Sequence, residues 1–164
     1  MATRALIRVF KEDGQPLVCI YKHFDGYPRW LGKLICEAFN YGDCVVASGH
    51  GLNDEIPKRF NTMEDAAAWL VAFLKTYKSR DQLVGDAYMV SMKELIGDVY
   101  IVPFPKNLDE DDLYGAEFLY DIWCKYGHIG ITLYTLWNTR KEIYRGPLTK
   151  FDPDALHQQA YLAE

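Results

Sequence analysis

The sequence predicts an α+β domain, with a largely antiparallel sheet, two main helices and a short C-terminal helix, spanning residues 1–164 as one unit. Three observations predict it. Residues 4–24 alternate apolar and polar side chains around Asp13-Gly14, the pattern of a β-hairpin. Two later stretches, starting near Pro28 and Asn61, space their apolar residues at the 3.6-residue period of a helix. Beyond Arg80, short apolar and aromatic runs bounded by turn residues return, the mark of strands.

The hairpin comes first. With Asp13 and Gly14 as the loop of a type I′ turn, Glu12 faces Gln15, Val9 faces Val18 and Ile7 faces Ile20. Those apolar residues share a face with Ala5. The other face then carries Arg4 across from His23, Leu6 across from Tyr21 and Arg8 across from Cys19. A corner follows: Tyr21-Lys22-His23-Phe24-Asp25-Gly26-Tyr27-Pro28. Gly26 is able to take backbone angles closed to other residues, and Pro28 suits the first turn of a helix. Asp25 is placed to accept from free N–H groups in that turn. The corner reads in two ways. It is a strand-to-helix turn with a capping Asp, or a site lined by His23, Asp25 and Tyr27 at a helix N-terminus, where anions are favoured.

The first helix is expected over 28–41. Leu31, Leu34, Ile35, Ala38 and Phe39 fall on one stripe, and Gly42 is placed to end it. Gly32 costs helix stability relative to Ala, so it signals close packing, with the hairpin as the candidate neighbour. Val45-Val46-Ala47 reads as a short strand or as loop, and 48–54, with His50, as an exposed loop. The second helix starts at an Asn61 or Thr62 cap, with Glu64 and Asp65 complementing its dipole. Its stripe of Ala66, Trp69, Leu70, Phe73, Leu74 and Tyr77 reads as core. Strands are expected at 87–91 and 98–102, the second closed by Pro103 and Pro105. A second antiparallel set is expected over 117–124, 129–137 and 141–144, rich in Tyr and Trp, and then a helix over 154–162 opened by Asp152-Pro153.

Composition bounds the function. The length suits one domain, and 49% hydrophobic with 25% charged residues is an ordinary globular balance. Aromatics reach 15%, a supply for core and contact surface alike. The net charge of −5 argues against direct nucleic-acid binding as a general role, though a local basic face stays open. Cys19, Cys36, Cys44 and Cys124 show no CxxC spacing, so neither a zinc site nor a disulfide framework is expected, and a reduced setting fits. No signal peptide and no membrane-spanning run is read in the chain.

No cofactor fingerprint and no histidine-built metal motif occurs. Cys19 and His23 share a strand face, which reads as a Cys–His dyad or as inert packing. The best constellation is Arg4, Arg8, Tyr21 and His23, with Asp25 and Tyr27 at the strand end. Guanidinium groups suit phosphate or carboxylate, and tyrosine stacks on a base, so the expected ligand is an anionic nucleotide or an acidic protein surface. The plainer reading is a solvent-facing sheet side with Arg–Asp pairing. Asp109, Glu110, Asp111 and Asp112 form an acidic run that reads as a solvated loop or a partner-facing knob; it lacks the spacing of a calcium loop. Trp137 joins it as a candidate partner contact.

Thr3-Arg4-Ala5-Leu6-Ile7, Asp13-Gly14, Ile20-Tyr21, His23-Phe24-Asp25-Gly26-Tyr27-Pro28, Gly32 and Leu34 together resemble a group of small bacteriophage-encoded proteins. Members of that group begin with a Thr/Ser-Arg-Ala-Leu-Ile strand and carry a His-Phe/Trp-Asp-Gly-Tyr-Pro corner. The resemblance covers roughly the first quarter of the chain, one hairpin–corner–helix unit. The group has no settled activity, so the resemblance supplies no catalytic residue. It implies a viral origin and action in the cytoplasm of a bacterial host. The resulting expectation is a non-enzymatic accessory protein that inhibits a host factor, such as a protein or protein complex of antiviral defence, in the manner of an anti-CRISPR or by sequestering a nucleotide signal. The alternative is a small enzyme acting on a nucleotide or phosphoester, with His23 as acid/base and Arg4 and Arg8 holding phosphate.

Overall fold

The computed structural model describes residues 3–39, 44–46, 60–76, 98–105, 113–137 and 139–162. The chain is α+β. Its elements are β1 (Ala5–Phe10), β2 (Pro16–Lys22), α1 (Lys33–Phe39), α2 (Met63–Thr76), β3 (Val99–Val102), β4 (Phe118–Lys125), β5 (His128–Thr135), β6 (Lys141–Pro147) and α3 (Pro153–Leu162). The strand expected over 87–91, the His50 loop and the acidic run Asp109 to Asp112 lie outside the described residues.

The strands form one sheet in the order β3-β2-β1-β4-β5-β6. β1 and β4 run parallel. Every other neighbouring pair is antiparallel. The sheet is thus two three-stranded antiparallel halves joined along a parallel seam.

The first hairpin pairs Val9 with Val18, Ile7 with Ile20, Leu6 with Tyr21 and Arg8 with Cys19, as the alternation predicts. The turn differs from the expected two-residue loop. Lys11 N–H donates to the Gln15 carbonyl (2.8 Å), Gly14 N–H to the Lys11 carbonyl (2.9 Å), and Gly14 takes φ +85°. The loop is therefore one residue longer, which sets Phe10 against Pro16. An irregularity between Val9 and Phe10 absorbs that residue and restores the predicted register.

One sheet face packs on the helices. Ala5, Ile7, Phe118, Tyr120 and Ile131 meet Leu31, Ile35, Leu70 and Leu156 in one buried cluster. The helical segment opens with a π-helical turn, Pro28–Gly32, that leads directly into α1. A Cβ on Gly32 would stand 3.0 Å from the Phe151 ring, so the close neighbour is Phe151 and not the hairpin. In α2, Thr62 is the cap, its Oγ1 accepting from Asp65 N–H (3.2 Å). The first hairpin adds a second cap, because Glu12 Oε1 accepts from Met63 N–H (2.7 Å). Ala66, Leu70 and Leu74 are buried as expected, but Trp69 is 47% exposed. It lies at the edge of the stripe, where its indole N–H reaches the Ala38 carbonyl (2.6 Å) and ties α2 to α1.

The aromatic run of the second half divides between core and surface. Tyr120 is fully buried, with its hydroxyl donating to the Gly26 carbonyl (2.8 Å). Trp123 lies over Gly130 on the neighbouring strand, where a Cβ would come within 2.2 Å of the indole. Tyr126 stands 90% exposed at the tip of the β4–β5 hairpin.

Candidate binding face

The second face of the sheet holds a smaller buried cluster of Leu6, Cys19, Leu113 and Leu119. The corner after β2 decides which side chains reach it. The positive φ of that corner belongs to Asp25 (+55°), not to Gly26. Asp is one of the few side chains that visits this region readily. Gly26 is required for a different reason. A Cβ there would lie 2.6 Å from the Ala5 Cβ and 2.8 Å from the Thr3 carbonyl oxygen. Gly26 N–H donates to that same carbonyl (2.8 Å), so the corner is pressed flat on β1. Tyr27 occupies the N-cap position and makes no side-chain cap bond.

The six candidate ligand residues separate. Tyr27 packs on the helix side, its ring edge-on to His157 of α3 (5.2 Å between centroids). Asp25 belongs to the turn itself. Arg8 is committed elsewhere: Nε donates to Asp121 Oδ1 (2.7 Å) and Nη2 to Oδ2 (2.6 Å), a buried fork across the parallel seam. Its guanidinium also lies over the rings of Phe10 and Phe104, at 5.3 and 5.6 Å. Burial pushes the Asp121 carboxyl above its ordinary value, against the pull of Arg8. Arg8–Asp121 is the Arg–Asp pairing of the plainer reading, moved from solvent to the interior.

Cys19 lies beside that pair and is buried, and its thiol is pushed up to about 12 by burial. A protonated, enclosed thiol is packing rather than a nucleophile. His23 Nδ1 is hydrogen-bonded to the Tyr21 hydroxyl (2.8 Å) instead.

Arg4, Tyr21 and His23 remain together on the open side. Arg4 and His23 come one step beyond the last ladder pair, Ala5–Lys22. Asp98 holds this end of β2 in place. It pairs with the Lys22 ammonium, accepts from Phe24 N–H (2.8 Å), and its carbonyl accepts from His23 N–H (3.0 Å). Tyr21 is the hub of an aromatic group. Its ring lies 5.9 Å from His23, 6.1 Å from Tyr100 and 6.3 Å from Tyr114, and Phe24 packs edge-on to His23 at 4.4 Å. Tyr100, Tyr114 and Phe24 are 48%, 42% and 50% exposed.

Three of these rings, Phe24, Tyr100 and Tyr114, are not among the sequence candidates, and two of them come from distant segments. Tyr100 joins Tyr21 through the β2–β3 ladder, which pairs the two directly. Tyr114 arrives through a tight turn in which Ala116 N–H donates to the Leu113 carbonyl (2.9 Å), with φ +56° at Tyr114 and +72° at Gly115. Its hydroxyl donates to the Pro103 carbonyl (3.3 Å). The Tyr-Gly dipeptide after an acidic run is the signal that marks this turn in the sequence. Arg4 is exposed, and its guanidinium lies 3.5 Å from where a Gly115 Cβ would stand. Lys75 Nζ sits over the Tyr100 ring at 5.5 Å.

Trp137, the candidate partner contact, is half-buried on the helix side. It stands edge-on to Phe118 (5.0 Å) and stacks with Tyr161 of α3 (5.5 Å). Among the described residues no group of three His, Cys, Asp or Glu side chains is placed to hold a metal ion, and no helix is long and apolar enough to cross a membrane. Comparison with protein-family models, curated proteins and solved structures gives no match.

Proposed function

We propose that this chain is a bacteriophage accessory protein that captures and inactivates a host factor, a component of antiviral defence, in the bacterial cytoplasm. The viral setting rests on the resemblance of the N-terminal unit. The capture role rests on one observation, the Tyr21-centred face. Tyr100, Tyr114 and His23 gather around Tyr21, Phe24 packs on His23, and Tyr100, Tyr114 and Phe24 are exposed. Rigid, part-exposed tyrosines flanked by arginine are the residue types that dominate binding energy at contact surfaces. Asp98 and the Leu113–Ala116 turn fix their positions, which limits the entropy lost on binding.

The alternative of acid–base turnover has less support. The His23 ring nitrogen is tied to a phenol, and among the described residues no carboxylate hydrogen-bonds the imidazole. A general base is usually oriented and tuned by such a partner.

The test is affinity capture from host lysate, with proteins and nucleotides in the same eluate identified by mass spectrometry. Wild-type protein is expected to retain a stoichiometric partner that the Tyr100→Ala/Tyr114→Ala double variant loses at an unchanged thermal midpoint. Equal retention by both proteins removes the face from the function, and turnover abolished by His23→Ala overturns the capture role altogether.

A further inference from the structure

We propose that the Tyr21-centred face is a site for a small nucleotide, its base stacked on the tyrosines and its phosphate held by Arg4. The inference rests on the capture role above and names the ligand.

Three independent features meet there. The first is a set of flat surfaces. Tyr100 and Tyr114 flank Tyr21 at 6.1 and 6.3 Å, and each leaves more than two-fifths of its surface to solvent. Aromatic side chains in this condition stack on nucleobases of any identity. The second is a phosphate partner. The Arg4 guanidinium lies against Gly115, next to Tyr114, and makes no ion pair with any of the described residues. Its planar fork matches two phosphate oxygens. Gly115 itself is set by its left-handed angle, φ +72°, and a Cβ there would only touch the guanidinium at 3.5 Å. Lys75 Nζ over Tyr100, at 5.5 Å, helps to fix that ring.

The third feature is the turn that presents Tyr114. Left-handed angles at both central residues define a type I′ turn, for which Asn-Gly is the favoured dipeptide. Tyrosine in the first position carries a steric cost that asparagine largely avoids. The β4–β5 turn carries the same pair, with φ +52° at Tyr126 and +78° at Gly127, so what sets Tyr114 apart is its ring contact with Tyr21.

Charge decides the size of the ligand. A net charge of −5 opposes a long polyanion, whereas Arg4 alone matches a single phosphate group. An acidic peptide would use the cations and leave the tyrosine faces unmatched.

The test titrates the full chain with the four ribonucleoside 5′-monophosphates, followed by amide-resolved NMR and calorimetry, with inorganic phosphate and a ten-residue thymidine oligonucleotide as separate probes. At least one mononucleotide is expected to bind with Kd at or below about 1 mM, shifting the amides of Tyr21, Tyr100 and Gly115. Arg4→Ala and Tyr100→Ala are each expected to weaken it about tenfold or more. Tyr114→Asn is expected to weaken it while the thermal midpoint holds or rises, a separation that a purely structural tyrosine would not produce. No saturable mononucleotide binding, binding of the oligonucleotide alone, or affinity unchanged in Arg4→Ala and Tyr100→Ala overturns the proposal. If lysate capture still depends on Tyr100 and Tyr114 when no mononucleotide binds, the nucleotide inference falls and the capture role stands.

Discussion

Arg8 and Asp121, 113 residues apart in the chain, close the parallel seam of the sheet with a buried two-bond fork. Breaking it from one side leaves a charge enclosed without its partner. Asp121→Asn is expected to destabilise the fold by about 3–5 kcal/mol. Replacing both partners by apolar groups, Arg8→Met with Asp121→Leu, should recover most of that loss. Urea unfolding of the three proteins checks it, and a double variant as unstable as the single one would show that the pair holds the seam through its charge.

Two glycines are expected to resist the smallest possible substitution. Gly26→Ala drives a methyl into the Ala5 side chain and the Thr3 carbonyl, and Gly130→Ala drives one into the Trp123 indole. Each should cost about 1–3 kcal/mol, read as a fall in the unfolding midpoint. Gly130→Ala in a Trp123→Ala background should cost much less, because the obstructing ring is gone.

His157 predicts a sign for the pH dependence of α3 docking. Its Nδ1 accepts from Arg29 N–H (3.4 Å), and its ring contacts Tyr27 and Tyr161. Burial first, and then the Arg29 charge, lower its pKa below the ordinary 6.5, with Asp154 pulling the other way. The unfolded chain therefore takes up the proton first as pH falls. The stabilisation from neutral His157 is complete above about 6.5, declines as pH drops through that value, and is gone below the folded-state pKa. A His157→Phe variant should show a flatter thermal midpoint than wild type between about pH 7.5 and 5. Parallel curves for the two proteins would contradict it.

The thiols give a chemical test of the interior. Cys19, Cys36 and Cys44 are buried and Cys124 is partly exposed, its thiol also raised by burial. With Cys19 pushed up to about 12, a disulfide reagent at about pH 8 should find one slowly reacting thiol in the folded chain and all four after denaturation. Cys124→Ser should remove the folded-state reaction.

The local parts of this architecture were legible in the sequence, and the long-range parts were not. Alternation places Ile7 opposite Ile20 and Val9 opposite Val18, and the structure keeps those pairs even though the loop is longer, because the buried face dictates register more strongly than the turn does. Leu70 and Leu74 were readable as core from helical spacing. The fate of Arg8 was not readable, since its partner lies on a strand reached only across the seam. Tyr100 and Tyr114 were missed for the same reason. Their place beside Tyr21 follows from which strand becomes the neighbour of β2 and from a turn that puts Tyr114 beside it from 93 residues further on, and neither leaves a periodic mark. At the corner the unusual angle expected of Gly26 belongs to Asp25, and Gly26 supplies the clearance.

The parallel seam also sets a timetable for synthesis. β1 pairs with β4 through Ala5–Phe118 and onward to Val9–Ile122, so one side of β1 waits on the ribosome until β4 has been made. At roughly 5–20 residues per second that wait is on the order of 5–25 s. Throughout it the apolar strand Ala5–Phe10 has one open side. A nascent chain of this protein is therefore most vulnerable to mispairing before Phe118 emerges, and slow codons upstream of β4 should lower the yield of soluble protein more than the same codons placed after β6.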